Sequence, residues 1–216
     1  MTIFGIMESI ENIQTALFDL IMTVSTYSQK GRLMNLYIAD LHFGHNDIIA
    51  FDRRPFKDTR DMDSTIIARW NEKVRDDDDV WIIGDICYQN AQSEESYLRR
   101  LKGRKHLIIG NHDDKIISDP DLLKYFVDEP KQIRVISDTL EGKRHMICLC
   151  HYPMAEWEGK FRGYFHIFGH IHALHNDAYY YMRDKDHALN AGAMINDYTP
   201  VSFEELIENN RKYKAQ

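Results

Sequence analysis

Five short apolar runs in this chain each end in a side chain able to bind a metal or move a proton. Val80-Trp81-Ile82-Ile83-Gly84 ends in Asp85, and His106-Leu107-Ile108-Ile109-Gly110 ends in Asn111-His112. Phe165-His166-Ile167-Phe168-Gly169 ends in His170-Ile171-His172. Leu36-Tyr37-Ile38-Ala39 ends in Asp40-Leu41-His42, and Met146-Ile147-Cys148-Leu149-Cys150 ends in His151. Short runs rich in β-formers and bounded by turn residues read as buried strands. A glycine such as Gly84 lets one backbone approach another group closely. Five strands that deliver Asp, Asn or His at their C-terminal ends describe a metal site at one edge of a sheet.

The rest of the chain fits one soluble domain. Its 216 residues are enough for a sizeable core. The formal net charge of −7 argues against sequence-indifferent nucleic-acid binding, which depends on a basic surface. Three cysteines make no disulfide framework, and Cys148 and Cys150, two apart on a strand, are poorly placed to bridge. Reduced thiols and a cytoplasmic location are expected. Residues 1–33 read as an appended extension: Ile10, Ile13, Leu17, Leu20, Ile21 and Val24 have helical spacing, and a linker follows at 25–31. Glu11 and Asp19 interrupt this segment and no basic stretch precedes it, so it suits neither a signal peptide nor a membrane span. The main domain is expected over 34–216.

Within that domain, helices are expected as a short one within 43–51 with Asn46 as cap, at 59–74, at 92–102 and from Ser202 onward, where Glu205 completes a capping box. Residues 133–136 and 146–150 read as strands around a turn at Glu141-Gly142, and 178–182 and 187–192 as late strands. Trp157 and Arg162 either wall the site or close the core. The fold class is α/β, with layers around more than one sheet.

Asp40 and His42 are two apart, as are His170 and His172, so on extended chain each pair shares a face. Asp40, His42, Asp85, Asn111, His151, His170 and His172 are too many ligands for one tetrahedral ion and suit two ions. Without thiolates, the set favours manganese, iron or zinc in a nitrogen and oxygen environment. Two ions ~3.5–4 Å apart are suited to in-line displacement at phosphorus.

Asp40-Leu41-His42, Gly84-Asp85, Gly110-Asn111-His112-Asp113, His151 and Gly169-His170-Ile171-His172, in that order, resemble the motif series of the calcineurin-like metallophosphoesterases. The resemblance runs from Met34 to about Ser202, and the residues around the motifs are similar to those of small, uncapped bacterial and phage members. It implies a two-sheet sandwich flanked by helices, in four α/β/β/α layers. It also implies two divalent ions (Mn²⁺, Fe²⁺/Fe³⁺ or Zn²⁺). One would take Asp40, His42 and His172, the other Asn111, His151 and His170, with Asp85 bridging. His112 would be the catalytic histidine beside the leaving oxygen, and metal-bound hydroxide the nucleophile on a phosphate mono- or diester. The substrate would be a phosphorylated small molecule or nucleotide. The second motif continues as Ile86-Cys87-Tyr88-Gln89, without the Asp and Arg of serine/threonine phosphatases, so protein phosphatase activity is not expected. His45, Arg53 and Arg54 are candidate phosphate contacts in their place. A non-catalytic scaffold on the same fold and a nuclease are the alternative readings.

Overall fold

Two four-stranded sheets carry the fold, each built on three parallel strands that end at the same edge. The structure, a computed structural model, describes residues 33–89 and 92–216. The expected extension over 1–33, with its helix and linker, therefore lies, apart from Leu33, outside the described residues. In chain order the elements are β1 (Asn35–Ile38), α1 (Asn46–Phe51), α2 (Thr59–Lys73), β2 (Asp79–Ile82), α3 (Glu94–Leu98) and β3 (Arg104–Leu107). Then follow α4 (Asp114–Ile117), α5 (Pro120–Leu123), β4 (Ile133–Leu140), β5 (Lys143–Cys150) and β6 (Phe165–Phe168). The last elements are α6 (Asp177–Met182), β7 (Ala188–Asn190), β8 (Val201–Ser202) and α7 (Phe203–Lys214). The first sheet has the order β3-β2-β1-β8, with only β8 antiparallel. The second has the order β4-β5-β6-β7, in which β4 and β5 form a hairpin.

Alternation along the strands explains the core. Leu36, Ile38, Val80 and Ile82 pack with Met62, Ile66 and Trp70 of α2. Their neighbours Tyr37, Ala39, Trp81 and Ile83 share a second cluster with Ile147, Leu149, Ile167 and Leu189 of the other sheet. Because successive side chains on a strand point to opposite faces, one face of each sheet must enter that shared cluster. The remaining face of the second sheet, with Cys148 and Phe168, packs against Tyr179, Met182 and Tyr213. At the strand C-termini the sheets are stitched together. Ala39 donates to the Ala191 carbonyl at 2.8 Å and accepts from Ala193 at 2.9 Å.

Three local expectations need correction. Residues 178–182 form helix rather than strand. Asn176 accepts from the Tyr179 N–H as N-cap, and Tyr179 and Met182, one turn apart, are the buried positions. The helix expected over 92–102 is only Glu94–Leu98. Asn71 takes the Arg100 carbonyl and the Lys102 N–H, and Trp70 takes the Lys102 carbonyl, so α2 draws the following residues out of the helix. At α1 the N-cap is His45, with no side-chain cap bond, and Asn46 is the first helical residue. The capping box of Ser202 and Glu205 is present as expected. Among the described residues no helix is long and apolar enough to cross a membrane.

Candidate metal centre

The chain turns sharply as it leaves β1, β2 and β6 at the shared edge. Asp40, His42, Asp85, His170 and His172 all have positive φ, between 51° and 69°. Non-glycine residues rarely adopt this region, at a cost of ~1–3 kcal/mol each. Neighbouring groups hold these turns. The Asp113 carboxylate, fully buried, accepts the N–H groups of Asp85, Ile86 and Gly110 at 2.8–3.0 Å. Asp40 Oδ1 accepts the His170 N–H at 3.0 Å, and Asp85 Oδ1 accepts the His112 N–H at 2.9 Å. Gly84, with φ of +84°, leaves room for the His151 ring: a Cβ there would stand 2.3 Å from His151 Nδ1.

The seven expected ligands converge. The metal-binding atoms of Asp40, His42 and His172 lie within 4.8 Å of one another, and so do those of Asp40, Asp85 and His151. Asp85 Oδ2 lies 3.6 Å from His42 Nε2 and 3.5 Å from His151 Nε2, between one imidazole of each expected set. Asn111 Oδ1 lies 3.1 Å from His151 Nε2 and 2.9 Å from His170 Nδ1. His42 Nε2 and His172 Nε2 approach to 3.2 Å.

These donors lack what a protein-only hydrogen-bond network would need. His151 Nδ1 faces the Ile83 carbonyl at 2.7 Å and must donate to it. In the neutral ring its Nε2 is then a lone pair aimed at two further acceptors, Asp85 Oδ2 and Asn111 Oδ1. Asp40 Oδ2 is buried with no hydrogen-bond partner, as is His42 Nδ1. Burial is the largest influence on Asp40 and pushes its carboxyl up, and His172 and His151 only partly offset it. Asp85 is raised too, first by burial and then by Asp40. Burial, then His172, holds His42 well below the usual imidazole range, and burial, then His151, lowers His170. Two carboxylates raised by burial and the lowered imidazoles of His42 and His170 make a nitrogen and oxygen set suited to a cation. The residues present can hold a metal ion.

The other expected site residues separate. The His112 ring stands 5.5 Å from the His42 ring and 4.0 Å from the Tyr88 ring, beside the ligands. His45, half-buried, packs 5.6 Å from His42 and 4.7 Å from Tyr88, with its Nδ1 unpartnered. Arg53 is exposed. Arg54, expected as a phosphate contact, turns inward and is 4% exposed. Its guanidinium is committed to Asp52 and to the carbonyls of Asp40 and Leu41, because the positive φ of Arg53 reverses the chain between them. Trp157 closes the core, donating to the Tyr164 carbonyl at 2.9 Å, and Arg162 is exposed. Sequence reasoning misses Asp52 and Asp113. Asp113 stands inside the Asn111-His112-Asp113 block, whereas Asp52 carries no signal beyond its spacing from Arg54.

Comparison with known proteins places the chain among relatives. It is 32% identical over 180 residues to the uncharacterized protein MJ1445 of Methanocaldococcus jannaschii, across 82% of this chain and 92% of that protein. It belongs to the family of that protein. The Gene 66 protein of Mycobacterium phage L5 is 28% identical over 159 residues, covering 63% of this chain and 76% of the phage protein. Among solved structures, the protein of unknown function AQ665 from Aquifex aeolicus is similar at a TM-score of 0.61 and 26% identity. That match covers 82% of this chain and 99% of AQ665. No family model matches the chain.

Proposed function

We propose that the chain is a dimetal-dependent phosphoesterase of the calcineurin-like type, built as a four-layer α/β/β/α sandwich with its site at the strand C-termini. The observation that carries this reading is the convergence of acceptors, His151 Nε2, Asp85 Oδ2, Asn111 Oδ1 and Asp40 Oδ2, on one site, with Asp40 Oδ2 buried and unpartnered. Asp40, His42 and His172 would hold one divalent ion, and Asn111, His151 and His170 the other, with Asp85 between them. Such ions supply Lewis-acid stabilisation of charge at phosphorus and lower the pKa of water. Asn111 contributes an oxygen without adding charge, so Asp40 and Asp85 supply the only negative charge among the seven ligands. His112, held by its backbone against Asp85 but with its ring outside the ligand set, is positioned to give a proton to the leaving oxygen. His45, packed against His42 and Tyr88, would be the candidate phosphate contact. The substrate would be a phosphorylated small molecule or nucleotide.

Metal analysis and a paired assay test this. The purified protein should take up about two Mn²⁺ per chain and hydrolyse an aryl phosphomonoester, its diester analogue, or both. A protein that takes up no metal and cleaves neither substrate is a binding scaffold.

A further inference from the structure

We infer that Asp52 and Arg54 form one positioning unit that prepares the cation position at Asp40, His42 and His172. The inference rests on the dimetal reading above and concerns how one of its two halves is built. Both Asp52 oxygens lie against His172 Nδ1, at 2.8 and 2.9 Å. A carboxylate only accepts, so Nδ1 must carry the proton, and in the neutral ring Nε2 presents its lone pair toward His42 Nε2, 3.2 Å away. Arg54 binds the same carboxylate through Nε and Nη2, both at 3.0 Å. Its Nη2 also donates to the Asp40 carbonyl and its Nη1 to the Leu41 carbonyl, each at 2.9 Å. These carbonyls belong to the turn whose Asp40 and His42 have positive φ. A single buried ion pair thus touches the ring of His172, the backbone of Asp40 and the carbonyl of Leu41 that precedes His42.

Packing alone does not account for this pair. Both side chains are fully buried, and a buried ion pair is often no more stable than apolar residues of the same volume. Groups that fix a ligating imidazole's tautomer typically change metal affinity ~10–100-fold when removed. The Asn111, His151 and His170 half has a carbonyl, that of Ile83, behind His151, and both Asn111 and His170 are exposed. Removing Asp52 should therefore act on one ion and spare the other.

The test combines Mn²⁺ titration calorimetry on the full chain with nitrogen NMR of the histidines in metal-free protein. Wild type should bind two ions, and His172 should be the Nδ1–H tautomer. Asp52→Asn should weaken one of the two binding events by about 10–100-fold and leave the other within about threefold. In Asp52→Ala the His172 signal should shift toward the Nε2–H tautomer. Arg54→Lys keeps the charge but lacks the fork, and should weaken the same event by a smaller factor. If wild type binds two ions and Asp52→Asn leaves both affinities unchanged, this inference falls alone. If wild type binds no Mn²⁺, the dimetal reading falls with it. Should Asp52→Ala fail to fold, the wild-type spectrum still decides: an Nε2–H tautomer of His172 overturns the assignment.

Discussion

Asp40 and Asp78 lie at opposite ends of the paired strands β1 and β2, and both are fully buried. Asp78 is saturated. Its oxygens accept from the Arg75 N–H at 2.9 Å, from the Arg75 guanidinium at 3.0 and 3.2 Å, and from the Met34 N–H at 3.1 Å. Burial alone would push its carboxyl up, but these hydrogen bonds outweigh burial and hold it below the ordinary value of 3.8. Asp40 has one backbone N–H on Oδ1, nothing on Oδ2, and a carboxyl raised by burial. Equal burial with opposite satisfaction separates two roles. Asp78 clips the strand starts together, whereas Asp40 is held in an unfavourable state that a cation would relieve.

Catalysis offers the largest contrast between the two ends. His112→Asn should lower kcat by ~10²–10⁴-fold while metal content stays near wild type. The loss should shrink for good leaving groups such as nitrophenol, which need less protonation. Loss of metal in this variant, or equal impairment on good and poor leaving groups, would remove His112 from the general-acid role. Asp78→Asn should leave kcat unchanged.

Stability should respond in the opposite sense. Asp78→Ala strips partners from buried N–H donors and should cost about 3 kcal/mol in denaturant unfolding, with Mn²⁺ affinity retained. Asp40→Asn removes an unsatisfied buried charge. In metal-free protein it should unfold no more easily than wild type, while one of the two Mn²⁺ binding events is lost. A metal-free Asp40→Asn protein much weaker than wild type would erase the distinction between the two aspartates.

Chelation gives a smaller separation. Binding to the folded state alone stabilises by about 2.7 kcal/mol when free ligand is 100 times its dissociation constant. Wild type and Asp78→Asn should therefore lose similar amounts of melting temperature on metal removal, and Asp40→Asn, with one ion fewer, should lose less. The finest test is acid unfolding of metal-free protein. The folded pKa of Asp78 is depressed, so its contribution is complete above the unfolded value near 3.8 and is lost as pH falls through the lower folded value. Asp78→Asn should flatten the stability profile in that acid window and nowhere else. An unchanged slope would show that the clip does not depend on the charge.

The five strands that carry the site, their order along the chain and the polar residue at the end of each are legible in the sequence, because buried strands announce themselves in short apolar runs and turn residues. Convergence of Asp40, Asp85, Asn111, His151 and His170 is legible for a related reason: parallel strands deliver their C-termini to one edge, whatever their order in the sheet. Helix α6 is not, since Tyr179-Tyr180-Tyr181-Met182 has the composition of a strand and the Asn176 cap overrides it. Nor is the short α3, whose continuation is withdrawn by Asn71 and Trp70, residues more than twenty positions earlier. Arg54 is the clearest case. In the sequence it is one of two adjacent arginines, equally suited to phosphate. The positive φ at Arg53 turns one outward and drives the other under the site, where Asp52 and two strained carbonyls meet it. Local pattern determines which side chains arrive at the edge, through periodicity and turn chemistry acting over a few residues. Which of them face the cation and which brace those that do is decided by contacts between segments far apart in the chain, and these exist only once the two sheets have closed.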